Sequence, residues 1–232
     1  MNASDRAPTR PWPPGWTVRH VASTGSTNTD LAAAAPSMPD RSVLVAGHQT
    51  AGRGRLDRRW EAPPGTNLLA SMLFHDVPDR PVELTQRVGL AALATTAELA
   101  NLPAVLKWPN DVLVGEAKLA GILAQRVASG SVVVGIGMNV RWAPPGAARL
   151  GEHLAPLDVL AVLLAAFDAL PADIEPGYRA ALVTLGRRVR VERPTGVLDG
   201  TAVDVDAAGR LVVVDAGAVT HHLDVGDVIH VR

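Results

Sequence analysis

Hydrophobic positions along this chain follow two different periods. In the first 185 residues, short apolar runs of strand length alternate with longer stretches in which apolar residues recur every three or four positions. This helical spacing predicts a helix from Pro81 to Ala100, with proline at its start, and another over residues 156–170. Further helices are predicted for the alanine run within residues 23–35, behind its Ser, Thr and Asn cap candidates, and for Gly177 to Leu185.

Six apolar runs predict strands, with turn residues between some of them. In chain order the runs are SVLVAGHQ (42–49), TNLLASMLF (66–74), AVLKWP (104–109), DVLV (111–114), KLAGILAQRV (118–127) and SVVVGIGMNV (131–140). Strands interleaved with helices indicate the α+β class, with a mixed sheet and flanking helices.

The two ends of the chain have a different residue pattern. Residues 186–232 lack a helical period and show only short Val-rich strands cut by turns, a pattern typical of a small β-barrel of about five strands. Residues 1–16 are rich in proline and polar residues, which predicts a flexible arm. The predicted organisation is therefore an arm (1–16), a larger α+β domain (17–185) and a small β domain (186–232).

Composition narrows the function classes. Of the 232 residues, 47% are hydrophobic and 19% are charged, so the chain can bury a hydrophobic core. Its formal charge of −1 argues against a surface that neutralises many nucleic-acid phosphates. The absence of cysteine excludes disulfides, thiolate catalysis and Cys-ligated zinc. Because the sequence shows neither a signal peptide nor a run of about 18 apolar residues, we expect a soluble cytoplasmic protein.

One segment stands out chemically. Residues 49–60, QTAGRGRLDRRW, place four arginines and two glycines in one short stretch of a nearly neutral chain, and we call this segment the arginine loop. Glycine lets another group approach the backbone closely, and the arginine guanidinium presents a planar fork of donors to carboxylate or phosphate. The arginine loop is therefore predicted to bind anions.

Four further segments carry possible chemistry. GSTN (25–28) is either an ordinary helix N-cap or a set of hydrogen-bonding partners for a ureido or amide group. KWPNDVLV (107–114) has the composition of a plain turn. Lys118 is either solvated at a strand end or, by strand alternation, on one inward face with Ala120 and Ile122. The glycines of GIGMN (135–139) weaken a strand unless a ligand or another backbone must approach closely.

Taken together and in this order, the motifs STN (26–28), the arginine loop, KWPNDVLV, KLAGIL (118–123) and GIGMN resemble the biotin protein ligases. The resemblance covers roughly residues 26–232, since the β-rich tail is similar to the SH3-like C-terminal domain of that family. It implies a catalytic domain related to the class II aminoacyl-tRNA synthetases.

This resemblance also implies an activity. Biotin protein ligases make biotinyl-5′-adenylate from biotin and MgATP, release pyrophosphate, and transfer biotin to one lysine of a biotin carboxyl carrier domain. Because a carboxylate must attack an α-phosphate, two anions have to be brought together, which gives the arginine loop a purpose. The implied partners are biotin, ATP with Mg²⁺ and the carrier domain, without DNA or membrane, and the chain is expected to be a monomer or a weak homodimer.

Residue roles follow only by carry-over from the resemblance. It assigns biotin binding to Ser26, Thr27, Asn28, Gln49, Gly52, Arg53, Gly54, Arg55, Lys118 and Gly121. It assigns ATP or adenylate binding to Arg55, Arg58, Trp60, Asn110, Asp111, Asn139 and Trp142. Lys118 and Arg53 are the implied catalytic residues. Mg²⁺ is expected mainly through the ATP phosphates, with Asn110 or Asp111 as protein ligands. Trp142 either stacks on adenine or is a half-buried core residue.

The sequence departs from the family pattern at two points, and two alternative functions remain open. Asp57 stands where the family's loop has a glycine, and it puts a negative charge in an anion-binding segment. Too few residues precede Ser26 for a winged helix-turn-helix, so a ligase-only type is expected. The alternatives are a lipoate or octanoate ligase or transferase of the same fold, and a biotin-sensing transcriptional regulator.

Overall fold

The computed structural model describes residues 8–56, 58–193, 196–224 and 226–231. Twelve strands and four α-helices are formed there. In chain order they are β1 (Thr17–Val21), α1 (Thr27–Ala34), β2 (Ser42–Ala46), β3 (Leu68–Phe74), α2 (Val82–Ala100), β4 (Ala104–Lys107), β5 (Asp111–Val114), β6 (Ala117–Arg126), β7 (Val132–Met138), α3 (Pro156–Asp168), α4 (Glu175–Ala181), β8 (Arg188–Arg193), β9 (Gly196–Val205), β10 (Leu211–Val214), β11 (Thr220–Leu223) and β12 (Asp227–His230).

The first seven strands form one sheet in the order β1-β2-β3-β7-β6-β5-β4. Only the β1–β2 pair is parallel, and the other pairs are antiparallel, so the predicted mixed sheet is confirmed. On one face α3 packs over the fully buried strand β3, and α2 packs over β4 to β7. On the other face α1 packs through Leu31 against Leu44, Leu73 and Val133. The flanking-helix architecture follows from these two apolar layers.

Strands β8 to β12 form a second, antiparallel sheet in the order β11-β10-β9-β8-β12, as the short Val-rich runs predict. Its inner face is buried at alternate positions, for example Val189 and Val191 on β8. These residues join the core of the first sheet. The α+β domain and the small β domain therefore share one continuous hydrophobic core, while the boundary between residues 185 and 186 stays a prediction.

Trp108 and Arg179 form two of the contacts that fasten the small domain to the larger one. Trp108 is buried, and its indole Nε1 donates to the Gly209 carbonyl in the β9–β10 turn at 3.0 Å. Arg179 on α4 pairs with Asp204 on β9 and donates to the Val205 carbonyl at 2.8 Å. The KWPND segment is thus more than a plain turn, because its tryptophan anchors one domain on the other.

Differences from the sequence-based elements are local. Strand β1 was not predicted; it is a short edge strand with no fully buried position, so its hydrophobic pattern is weak. Helix α4 begins and ends earlier than the predicted span of Gly177 to Leu185. Among the described residues, no helix is long and apolar enough to cross a membrane.

Of the predicted arm, residues 1–7 lie outside the described residues, and the rest runs along the helices. Thr9 donates to Asp158, and Trp16 packs edge-on against Phe74 and Phe167. Trp16 is 7% exposed, so the end of the segment belongs to the core. For the residues that precede Trp16, the flexibility of the arm stays a prediction.

Candidate functional site

A cavity of about 290 Å³ lies between the arginine loop, α1, strands β5 to β7 and the start of β12. Nearly all the residues singled out in the sequence line it: Ser26, Thr27, Asn28, Gln49, Arg53, Gly54, Arg55, Arg58, Trp60, Asn110, Asp111, Lys118, Gly121 and Asn139. Gly52 and Trp142 do not line it. The cavity has a neutral polar end and a charged end, and different elements build them.

At the polar end, two loops are brought side by side by the parallel strands β1 and β2. A bridge between Thr24 and Gln49 prolongs that pairing beyond both strands. Gln49 can then accept two hydrogen bonds at its Oε1, from Thr27 N at 2.7 Å and from Thr27 Oγ1 at 3.0 Å. Residues far apart in sequence are thereby fixed in one wall.

Ser26 sits at the N-cap position of α1, but its side chain makes no capping hydrogen bond. It lines the cavity instead, so the capping interpretation does not explain its hydroxyl. Asn28 donates from Nδ2 to the Leu123 carbonyl at 2.9 Å. Both side chains are 5% exposed. The polar end is therefore preorganised by the protein's own hydrogen bonds.

Ser71 on β3 completes this network and was missed in the sequence. Its Oγ lies 2.7 Å from Thr27 Oγ1 and 2.5 Å from Asn28 Oδ1, and the residue is fully buried. The available signal was a single hydroxyl in the otherwise apolar run LLASMLF.

Two glycines of GIGMN, which stand two positions apart on β7, face the cavity. A Cβ at Gly135 would lie 2.1 Å from Asn28 Oδ1, and one at Gly137 would lie 2.5 Å from the Trp60 ring. Both distances are too short for any side chain. Close approach therefore explains glycine in this strand, but the approaching groups are side chains of α1 and the arginine loop rather than the expected ligand or backbone.

Lys118 reaches the cavity by a route that strand alternation does not predict. On β5, Val112 and Leu113 are neighbours, yet they pair with Ala120 and Lys118, which leaves Leu119 as an extra residue in β6. Such a bulge interrupts the alternation of faces. The Lys118 Nζ consequently lies 3.3 Å from the position of a Cβ on Gly121, whereas Ala120 and Ile122 are buried in the core. The expected shared face of Lys118, Ala120 and Ile122 was wrong.

The charged end centres on Lys118. Its Nζ lies 2.6 Å from Asp111 Oδ1, an ion pair that lacks the alignment of a regular hydrogen bond, and 5.6 Å from the centroid of the Trp60 ring. Lys107 also lines the cavity, and the chain contains no third lysine. Both ammonium side chains of the protein thus face the same site.

Within the arginine loop, residues on either side of Asp57 pair in a small hairpin. Arg53 and Arg59 form an antiparallel bridge, and Gly54 N donates to the Arg58 carbonyl at 2.7 Å. A Cβ at Gly52 would lie 2.3 Å from the Trp60 carbonyl oxygen, which explains why glycine is needed there although it does not line the cavity. Asp57 itself, the departure from the family pattern, lies outside the described residues.

Arg55 is the least exposed arginine of this loop. Its Nη1 lies 3.5 Å from Asn110 Oδ1 and 3.4 Å from the Gly226 carbonyl. Burial lowers the pKa of Arg55, and the neighbouring carboxylates of Asp111 and Asp227 oppose that shift. Because an arginine side chain stays protonated in proteins, Arg55 carries its charge and is held ready for an anion.

Two predicted nucleotide ligands are already engaged by the protein. Asn110 donates from Nδ2 to the Ile122 carbonyl at 2.8 Å, which leaves its Oδ1 toward Arg55. Asn139 donates to the Lys118 and Ala148 carbonyls and accepts from Asn67, so its carboxamide braces the lysine backbone. Trp142 is half-buried, and its contact with adenine stays a prediction.

The sequence is similar to known proteins along most of its length. Residues 21–141 match the Biotin/lipoate A/B protein ligase family, and residues 184–231 match the Biotin protein ligase C terminal domain. The biotin–[acetyl-CoA-carboxylase] ligase of Mycobacterium tuberculosis is 42% identical over 91% of this chain and 88% of its own length. The ligase of the same name from Paracoccus denitrificans is 32% identical over 83% of this chain and 92% of its own.

The fold agrees as well. The structure of a biotin protein ligase from Aquifex aeolicus in complex with biotin and ATP superimposes with a TM-score of 0.78, covering 93% of this chain and 99% of that one at 24% identity. The matches span both the α+β domain and the small β domain. The chain belongs to the biotin protein ligase family.

Proposed function

We propose that this protein is a biotin–protein ligase that activates biotin with ATP and then biotinylates a lysine of a carrier domain. The observation that carries the proposal is the division of one cavity into two ends. Neutral hydrogen-bonding groups form one end, and Lys118, Arg53, Arg55 and Arg58 surround the other. Biotin has the matching shape, with a neutral ureido ring at one end and a carboxylate at the other.

In the proposed first step, a biotin carboxylate oxygen attacks the α-phosphorus of ATP. The bond from that phosphorus to the bridging oxygen breaks, and pyrophosphate leaves. Two anions would approach each other at the charged end, so catalysis rests on positioning and on charge stabilisation. Lys118 is the proposed main stabiliser, because a compact ammonium held by Asp111 can exchange that partner for developing negative charge.

Arg53 and Arg55 are proposed to hold the carboxyl and phosphate oxygens, with Arg58 and Trp60 closing the arginine loop over the adenylate. Ser26, Thr27, Asn28 and Gln49 would receive the ureido ring. Polar atoms already fixed by Ser71 and Leu123 lose little conformational freedom when the ring binds, which favours affinity.

Mg²⁺ is proposed to arrive with ATP. Among the described residues no group of three or more His, Asp or Glu side chains could hold a metal ion. Mg²⁺ commonly uses one or two protein oxygens plus substrate phosphates. The carboxylate of Asp111 and the Oδ1 of Asn110 are oxygens of the right kind at the cavity wall. When bound, the ion neutralises phosphate charge, while the protein side chains orient the reacting groups.

In the proposed second step, the amine of an acceptor lysine attacks the acyl carbon of biotinyl-5′-adenylate, AMP leaves, and the amine loses a proton. No covalent enzyme intermediate is needed, which agrees with a chain without cysteine. Since two relatives are named for acetyl-CoA carboxylase, we propose the biotin carrier domain of such a carboxylase as acceptor and the cytoplasm as the location.

The proposal is tested by incubating the protein with biotin, MgATP and a recombinant carrier domain. Intact mass should show one biotinyl group on the acceptor, and pyrophosphate should appear only when biotin is present. Lipoate and octanoate at equal concentration serve as matched controls for the alternative ligase function. Acylation of the carrier by either of these acids in preference to biotin would overturn the assignment.

A further inference from the structure

The small β domain contributes directly to the cavity. Asp227 and Val228, the first two residues of β12, line it together with the arginine loop. Asp227 has a side-chain exposure of 35%, and it lies 169 residues from Arg58 in the sequence. Nothing in the assignment of biotin or ATP ligands accounts for a carboxylate at this position, since it repels the anions that the site is built to bind.

Asp227 pairs with an arginine of that loop. Arg58 Nη2 donates to Asp227 Oδ2, and the neighbouring Gly226 carbonyl lies 3.4 Å from Arg55 Nη1. The hydrogen bond that Arg58 donates to Asp227 also raises the pKa of Arg58. Two guanidinium groups of the arginine loop therefore engage the start of β12.

The ion pair between Arg58 and Asp227 is weak enough to form and break reversibly. Arg58 is 64% exposed, and an exposed ion pair contributes only about 0–1 kcal/mol. A phosphate group bears more charge than a carboxylate and makes strong, frequently bidentate hydrogen bonds with arginine. The same guanidinium donors cannot serve Asp227 and a phosphate equally well at one time.

We propose that Asp227 is a positioning residue that holds Arg58 on the small domain and competes with the nucleotide phosphates for it. Before ATP binds, the ion pair keeps the arginine loop next to β12. ATP binding takes Arg58 from Asp227, so part of the interaction energy with ATP is spent in breaking the pair. This inference rests on the proposed ligase function and adds the small domain to its nucleotide site.

The chain offers a matched control for a purely structural tether. Arg179 and Asp204 also pair across the two domains, with side-chain exposures of 33% and 45%. Neither residue lines the cavity. Removing the Asp204 charge should loosen the domain contact without freeing an arginine at the site.

The experiment compares Asp227→Asn, Asp227→Glu and Asp204→Asn with the wild type in biotin-dependent ATP–pyrophosphate exchange. We expect Asp227→Asn to lower the KM for ATP about two- to fivefold, the range of an exposed ion pair, while the KM for biotin changes by less. Asp227→Glu keeps the charge and should restore the wild-type KM for ATP. Asp204→Asn should leave it unchanged.

A second readout does not depend on ligase activity. In the ligand-free protein, trypsin should cut after Arg58 faster in Asp227→Asn than in the wild type or Asp204→Asn, because the loop has lost its partner. An unchanged or raised KM for ATP in Asp227→Asn, or an equal effect of Asp204→Asn, would overturn the inference. If instead the wild type fails to exchange pyrophosphate at all, the ligase function fails, and equal tryptic rates in all variants would then reject the loop contact separately.

Discussion

The two ends of the cavity differ in how they are held. At the polar end, Thr27, Asn28, Gln49 and Ser71 are buried or half-buried and bonded to one another or to the backbone of β6. At the charged end, ion pairs such as Lys118–Asp111 join partly exposed side chains. The cationic groups there are paired with carboxylates of the protein itself. The site is therefore more tightly held where we propose that the neutral ring binds than where we propose that charge changes during the reaction.

Removing the charge of Lys118 is the strongest test of this difference between the two ends of the cavity. We expect Lys118→Ala to slow adenylate formation about 10²–10³-fold, roughly 3–4 kcal/mol, because a stabiliser of transition-state charge is lost. Biotin binding, measured by the shift in melting temperature, should weaken much less, since the polar end is intact. Biotin-dependent pyrophosphate release is the measurement, and a near wild-type rate would remove Lys118 from the chemistry.

The polar end is tested by Gly135→Ala. The new Cβ would displace Asn28 and disturb its contact with Ser71, so we expect a loss of about 1–3 kcal/mol in biotin affinity, roughly 5- to 150-fold. Isothermal titration with biotin measures it. Gly177→Ala in α4 is the matched control, because a Cβ there meets no atom within 4 Å. Equal biotin affinities of the two variants would show that the polar end is less rigid than its contacts indicate.

Adaptability of the charged end predicts protection of the arginine loop from trypsin. Arg53, Arg58 and Arg59 are exposed, so the ligand-free protein should be cut among them. At ligand concentrations about ten times Kd, mass action predicts roughly tenfold slower cleavage with biotin and MgATP, and partial protection with biotin alone. Cleavage after Arg126, at the exposed end of β6, is the internal control. Equal rates with and without ligands would mean that the loop is a static surface turn.

The smallest effect concerns the turn that carries the Trp108 anchor. Partial burial alone would raise the pKa of Asp206, but hydrogen bonds from His222 and from the Arg210 and Ala208 backbones lower it to about 2. Since the folded pKa lies below the ordinary 3.8, the stabilisation is complete above that pH and is lost as the pH falls toward 2.

We therefore expect the contribution of Asp206 to the unfolding free energy to fall by on the order of 1 kcal/mol between pH 4 and pH 2, measured by denaturant melts of the wild type and Asp206→Asn. Asp206→Asn should flatten this dependence, because the variant side chain does not titrate. Identical pH profiles of the two proteins would show that this turn does not link acid stability to the attachment of the small domain.

Much of the molecule was predictable from the sequence. The helical spacing of apolar residues predicted the bounds of α2 and α3 to within two residues. A 3.6-residue repeat of buried positions sustained over several turns fits a helix and few other structures. The order of the short motifs was enough to assign most ligand candidates to one binding site, and those residues do line one cavity. Glycines at Gly135 and Gly137 signalled close approach, although the identity of the approaching groups, Asn28 and Trp60, could not be read from them.

What the tertiary structure alone decided is the direction and partnership of the decisive side chains. Lys118 turns into the cavity because Leu119 bulges against β5, and a bulge depends on the register of two paired strands rather than on either one. Asp227 meets Arg58, and Trp108 meets Gly209, only because the two domains share one core. A hydrophobic period fixes which face of an element is buried; it contains no information about which distant residue will lie against the face that remains.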